Sequence, residues 1–157
     1  MNRPNLALST WQQLSSKPAG KWAFSRIVCW KVPYFSSIRP AFVELRPGYC
    51  EVRVKKRHRV LNHIGTVHAI AMCNMAELAG GTMMEVTVPS SYRWIPKGMT
   101  VQYIRKAETD LKAVAQISPI PQFDAAAELL ITVIVMDADD KTVFRAVITM
   151  WVSPKKE

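Results

Sequence analysis

Asn62, His68 and Glu77 carry the side chains in this sequence best suited to chemistry at a carbonyl carbon. All three stand in one stretch, Asn62 to Gly81, which opens on a polar turn (Asn62-His63-Ile64-Gly65-Thr66) and continues as a run of small and apolar residues. Singly, each has a plain role: Asn62 stabilises a turn, His68 meets backbone in a first helical turn, and Glu77 pairs with a cation. As a group they suggest more. His68 would lie where free N–H groups and the helix dipole favour negative charge, as on a carbonyl oxygen becoming an oxyanion. Glu77, set in an apolar helix, would be desolvated and hold a proton more tightly, which suits a general base or nucleophile.

A helix must position these groups. Thr66 is the expected N-cap and Gly80-Gly81 the expected stop, which predicts a helix from about Val67 to Ala79. Ala69, Ala71, Cys73, Ala76 and Ala79 keep it thin, and its apolar residues run almost all the way round, as in a buried helix. The nine-residue spacing of His68 and Glu77 puts them about 13 Å apart along the axis and about 180° apart around it. One chain cannot bring both to the same carbon. Either they are unrelated, or two copies of the helix run antiparallel across a twofold axis, forming a symmetric dimer with two composite sites.

Residues 1–40 read as an N-terminal helical extension. Ser9 and Gln12 form a capping-box pattern for a short helix, Thr10 to Ser16, and Lys21 to Lys31 forms a second, ended by Pro33. Packing of the second helix on the main domain is preferred to an interfacial membrane helix rimmed by Lys21, Arg26 and Lys31. Residues 41–157 form the main domain. A hairpin is expected from Phe42–Leu45, a Pro47-Gly48 turn and Cys50–Val60. On that second strand Arg53, Lys55, Arg57 and Arg59 would share one face, either as a solvated edge or as a phosphate-binding stripe. Further strands are expected at Met83–Val88, Met99–Glu108, Leu111–Ser118, Leu129–Asp137 and Thr142–Val152. Leu129–Met136 should lie mid-sheet, Asp137–Lys141 should form a turn, and the tail Ser153–Glu157 should fray. An antiparallel sheet this large has one apolar face and one helix to cover it, so it should curl around that helix in an α+β architecture.

At 157 residues the chain is most simply one domain. A net charge of +9 asks for an anionic partner: nucleic acid, phospholipid or a phosphorylated small molecule. The basic strand lacks the interleaved aromatics of a base-stacking surface, so nucleic acid is not expected. Cys29, Cys50 and Cys73 form no CxxC pair, and His58, His63 and His68 fall across strand, turn and helix, so neither a disulfide scaffold nor a metal site is expected. No stretch reaches the ~20 apolar residues that span a bilayer. A cytoplasmic protein is expected.

The pattern Asn62-x-x-Gly65-x-x-His68, with an acid nine residues later, resembles the hotdog-fold thioesterases. It is closest to the branch holding the phenylacetate-pathway and 4-hydroxybenzoyl-CoA thioesterases, and the order of elements from Ala41 to Val152 also fits. The resemblance implies a curled sheet around one long central helix. It implies Glu77 as base or nucleophile, Asn62 orienting water, and His68 with neighbouring amides holding the thioester carbonyl. Gly65, Thr66 and Ala69 would contact substrate, and Arg53, Lys55, Arg57 and Arg59, or Lys97, Arg105 and Lys106, would meet coenzyme A phosphates. The substrate would be an acyl-CoA or an acyl carrier protein thioester, with no cofactor beyond the coenzyme A moiety itself, and the assembly a homodimer or a tetramer formed by two dimers. Where the family usually reads His-Gly-Gly, this chain reads His68-Ala69-Ile70, adding a side chain where substrate approaches. That keeps a second reading open, a non-catalytic acyl-CoA-binding or regulatory protein.

Overall fold

The computed structural model describes residues 5–155. Its elements are α1 (Leu6–Ser15), α2 (Gly20–Lys31), a 3-10 turn (Pro33–Ser37), β1 (Ala41–Arg46), β2 (Tyr49–Val54), a second 3-10 turn (His58–Val60), α3 (Ala69–Thr87), β3 (Tyr92–Tyr103), β4 (Leu111–Gln116), β5 (Ala127–Met136) and β6 (Thr142–Pro154). The strands form one antiparallel sheet in the order β1-β2-β4-β5-β6-β3. Alternation along β4, β5 and β6 buries Ala113, Ala115, Ile131, Val133, Ala146 and Ile148 on the concave face, and α3 lies in that face. This is the hotdog architecture, with β5 mid-sheet as expected.

Two turns match their residues. Pro47-Gly48 joins β1 to β2 with Gly48 at φ +76°, a conformation that favours glycine. Asp137 closes the β5–β6 turn by accepting the Asp139 and Lys141 amides on Oδ1, both at 2.9 Å. The N-terminal helices share the core of the sheet through edge-to-face rings, Trp11 on Phe24 and Phe24 on Phe42, both at 5.1 Å. α1 starts earlier than expected, because Asn5 rather than Ser9 caps it, accepting from the Leu8 amide at 2.9 Å.

Further expectations need correction. The strand expected over Met99–Glu108 instead runs from Tyr92 to Tyr103, paired over that length with β6. Gly80-Gly81 does not stop α3, which runs on to Thr87 and absorbs the expected strand Met83–Val88. Both glycines are close-approach positions inside the helix. A Cβ on Gly80 would come within 2.9 Å of Ile148 Cδ1, and one on Gly81 within 3.2 Å of Trp94 Cη2. In the last turn Thr87 Oγ1 donates to Met83 O at 2.6 Å and accepts the Gly48 amide at 2.9 Å. Next, β2 ends at Val54, because its partner β4 begins at Leu111 opposite it and the Lys56 amide turns away to Asp110 Oδ1. Arg53, Lys55, Arg57 and Arg59 therefore do not share one strand face. Lastly, Ser153 and Pro154 finish β6 and the Lys155 amide bonds to Ser91 O; of the expected frayed tail, residues 156–157 lie outside the described residues. Among the described residues no helix is long and apolar enough to cross a membrane.

Candidate active site

The Asn62 turn is built by its own side chain. Oδ1 accepts the Ile64 and Thr66 amides, both at 3.1 Å, and Nδ2 donates to Thr66 Oγ1 at 2.8 Å. Gly65 takes φ +78°, and Thr66 is buried beneath the loop. One Nδ2 hydrogen is left over after these bonds. The turn hands the chain to α3 with His68, not Thr66, at the N-cap. Its Nδ1 accepts the Ile70 amide at 3.1 Å. A neutral imidazole accepting on Nδ1 carries its proton on Nε2, so the exposed His68 ring keeps one donor facing outward. The Ala71 amide turns back to His68 O at 3.0 Å. Ala69, at the first helical position, has one of the orphan N–H groups of the helix start.

α3 is not covered all the way round within one chain. Met72, Met75, Ala76, Ala79, Gly80 and Met83 face the sheet, while Ile70, Glu77 and Glu85 stay exposed, with Cys73 and Gly81 half-buried between them. Spacings of three and four residues make these a single open stripe. Glu77 stands on that stripe, exposed rather than desolvated. It also lines a cavity of about 470 Å³. Leu6 and Ala7 of α1, Phe24 and Val28 of α2, Phe35, Trp94 and Met150 supply the apolar walls. Lys31, Thr82 and Glu85 are the polar groups that share the lining with Glu77. Glu85 accepts from Trp94 Nε1 at 3.0 Å and anchors the far wall.

The structure therefore gathers Asn62, Gly65, Thr66, His68 and Ala69 at the mouth of α3 and leaves Glu77 more than two turns away. Thr87 belongs to the far end of the helix and is occupied there. Of the cations, Arg53 pairs with Glu51 at 3.0 Å and Lys97 with Glu128. Arg57 and Arg59 instead line a second groove with Arg39 and His58. Burial raises the pKa of the Cys29 and Cys50 thiols, which disfavours either as a thiolate nucleophile. Among the described residues no three His, Cys, Asp or Glu side chains converge as a metal site would require. The reading of α3 as buried all round left no room for a cavity beside Glu77. The aromatic content of the first forty residues was the available sign of its outer wall.

The family described as a domain of unknown function (DUF4442) matches residues 20–152. Among curated protein sequences none matches. Solved structures do. A structural-genomics protein, APC5556, is 51% identical with a TM-score of 0.84, over 95% of this chain and 98% of that one. PA5026 of Pseudomonas aeruginosa, described as a protein of unknown function and probable thioesterase, is 23% identical with a TM-score of 0.77, over 83% and 93% of the two chains. The thioesterase HI1161 of Haemophilus influenzae is 14% identical with a TM-score of 0.68, over 79% and 85%. At such low identity the last two establish the shared fold. The chain thus belongs to the DUF4442 family, built on the hotdog fold.

Proposed function

We propose that the protein hydrolyses a thioester of the acyl-CoA class at a site completed by a second copy of the chain. The observation that carries this reading is Glu77, a carboxylate on the open stripe of α3 at an apolar cavity of about 470 Å³, room for an acyl group. The Glu77 carboxylate takes a proton from water as the water oxygen attacks the thioester carbon. The carbonyl oxygen becomes an oxyanion held by the Ala69 amide and the His68 Nε2–H of the second copy. The C–S bond then breaks, the thiolate recovers the proton from Glu77, and a carboxylic acid and a free thiol leave. Asn62 acts first by building the turn that presents His68, and its remaining Nδ2 hydrogen is the group available to hold the water.

The dimer is supported by β3. It is a sheet edge of 12 residues that, among the described residues, pairs on one side only, with β6, and Ile95, Met99 and Tyr103 are exposed along it. A long apolar edge is a template for strand pairing. The test is a hydrolysis screen over short, medium, long and aromatic acyl-CoAs, followed by thiol release, with Glu77→Gln beside the native chain. Turnover by the native chain that vanishes in Glu77→Gln supports the reading; equal turnover in both removes Glu77 from the reaction. Ile70, 54% exposed at the helix mouth where the related enzymes usually carry glycine, favours the second reading of a binding protein. Saturable acyl-CoA binding without thiol release across the whole screen would select it.

A further inference from the structure

The second groove, of about 550 Å³, is walled by Ser36, Ser37, Arg39, Arg57, His58 and Arg59. Three arginines, a histidine and two serines line it, and among the described residues no Asp or Glu does. Among the described residues none of the ion pairs involves Arg39, Arg57 or Arg59, nor Arg26 behind them. Arg26 donates to Pro40 O at 3.0 Å, while its Nε is buried and meets no acceptor among the described residues. Burial, then the like charges of Arg39, Arg59 and Arg26, lower the pKa of the Arg57 guanidinium. Like charges gathered without a counterion repel one another, and an anion relieves that repulsion. The groove is also braced. Arg57 Nη2 donates to Ser37 O at 2.9 Å, and the buried Asn74 donates to Ser37 Oγ at 3.1 Å, which turns the Ser37 hydroxyl hydrogen elsewhere.

We propose that this groove binds a phosphate monoester or pyrophosphate group, the anionic arm of the thioester's coenzyme, with Arg39, Arg57 and Arg59 as its cations. Planar guanidinium forks match phosphate oxygens two at a time, and three of them suit a ligand of more than one negative charge. The inference rests on the thioester reading above for the ligand's identity. One 3-10 turn connects the two sites: Phe35 faces the apolar cavity, and the next residues, Ser36 and Ser37, face the cations. A ligand apolar at one end and phosphorylated at the other would lie across that turn.

Calorimetric titration with inorganic pyrophosphate and with adenosine 3′,5′-bisphosphate tests it, using Arg39→Asn/Arg59→Gln and, as control, Arg46→Gln, an exposed arginine paired with Glu44. Asparagine tolerates the left-handed backbone of Arg39 at φ +47°, and circular dichroism checks that the double variant folds. The double variant should weaken both probes by about tenfold or more, and raise the KM for acyl-CoA with kcat unchanged. The control should change neither. Unaltered affinity in the double variant, or an equal loss in Arg46→Gln, overturns the site. If the native chain binds pyrophosphate here but hydrolyses no thioester, the hydrolase reading falls and the groove stands; intact hydrolysis with unaltered KM and probe affinity in the double variant gives the reverse. Sedimentation with phosphatidylcholine vesicles containing phosphatidic acid, lost in the double variant while the KM for acyl-CoA stays fixed, would overturn the coenzyme assignment in favour of a lipid headgroup.

Discussion

The two faces of α3 come from one run of mostly small and apolar residues and meet opposite surroundings. On the sheet side, Met75, Ala76, Ala79, Gly80 and Met83 are fully enclosed, and the helix approaches so closely that Gly80 has no room for a Cβ beside Ile148. On the open side, Ile70, Cys73, Glu77, Gly81 and Glu85 face a cavity roofed by the N-terminal helices or face solvent. A packed face tolerates little change and holds no group that can react. The open face is loosely constrained, and there a carboxylate can sit without a buried partner and without a large desolvation cost. Under the proposed function, stability and chemistry fall on opposite sides of one helix.

Substitutions on the two sides should separate. The largest expected effect is on the open side: Glu77→Gln should lower thioester turnover by about 100-fold or more, while changing stability by less than about 0.5 kcal/mol. A collapse of the melting temperature in that variant would mean that Glu77 is structural. The packed side should behave in reverse. Gly80→Leu should cost about 1–3 kcal/mol through overpacking against Ile148, read as a lower denaturant midpoint, and a variant as stable as the native chain would show that the close approach is not limiting.

His68 lies at the junction and lets the two effects be divided. Its replacement by alanine should remove the N-cap at a cost of about 0.5–2 kcal/mol and also lower turnover. His68→Asn keeps a capping acceptor, so it should restore the stability but not the turnover; recovery of both would leave the ring without a part in the reaction. The smallest effect belongs to Gly98→Ala in β3, where a Cβ meets nothing within 4 Å. It should fall within about 0.5 kcal/mol of the native chain by the same unfolding measurement.

Much of the fold was legible because its signals are local. The Pro47-Gly48 turn, the Asp137 turn, the apolar run of β5 and the existence of the small-residue helix each follow from neighbouring residues and are found in the structure. The failures share a cause. Gly80-Gly81 looks like a helix stop, yet each glycine serves a contact with a residue distant in sequence, Ile148 or Trp94. Met83–Val88 alternates like a strand, but burial of Met83, Met84 and Val86 in the core as a continuation of α3 outweighs that local pattern. The run of cations after Val54 looks like a strand face until β4 is seen to begin only opposite that residue.

The sequence by itself determined that an Asn-Gly-His turn should open onto a thin helix bearing one carboxylate in its middle, because turn chemistry, capping and side-chain size act over a few residues. Only the tertiary structure decided how far that helix runs, which of its faces stays open, and that Arg39 joins Arg57 and Arg59 around one groove. Those outcomes depend on contacts between segments far apart in the chain, and their energies are set by what each residue meets after folding.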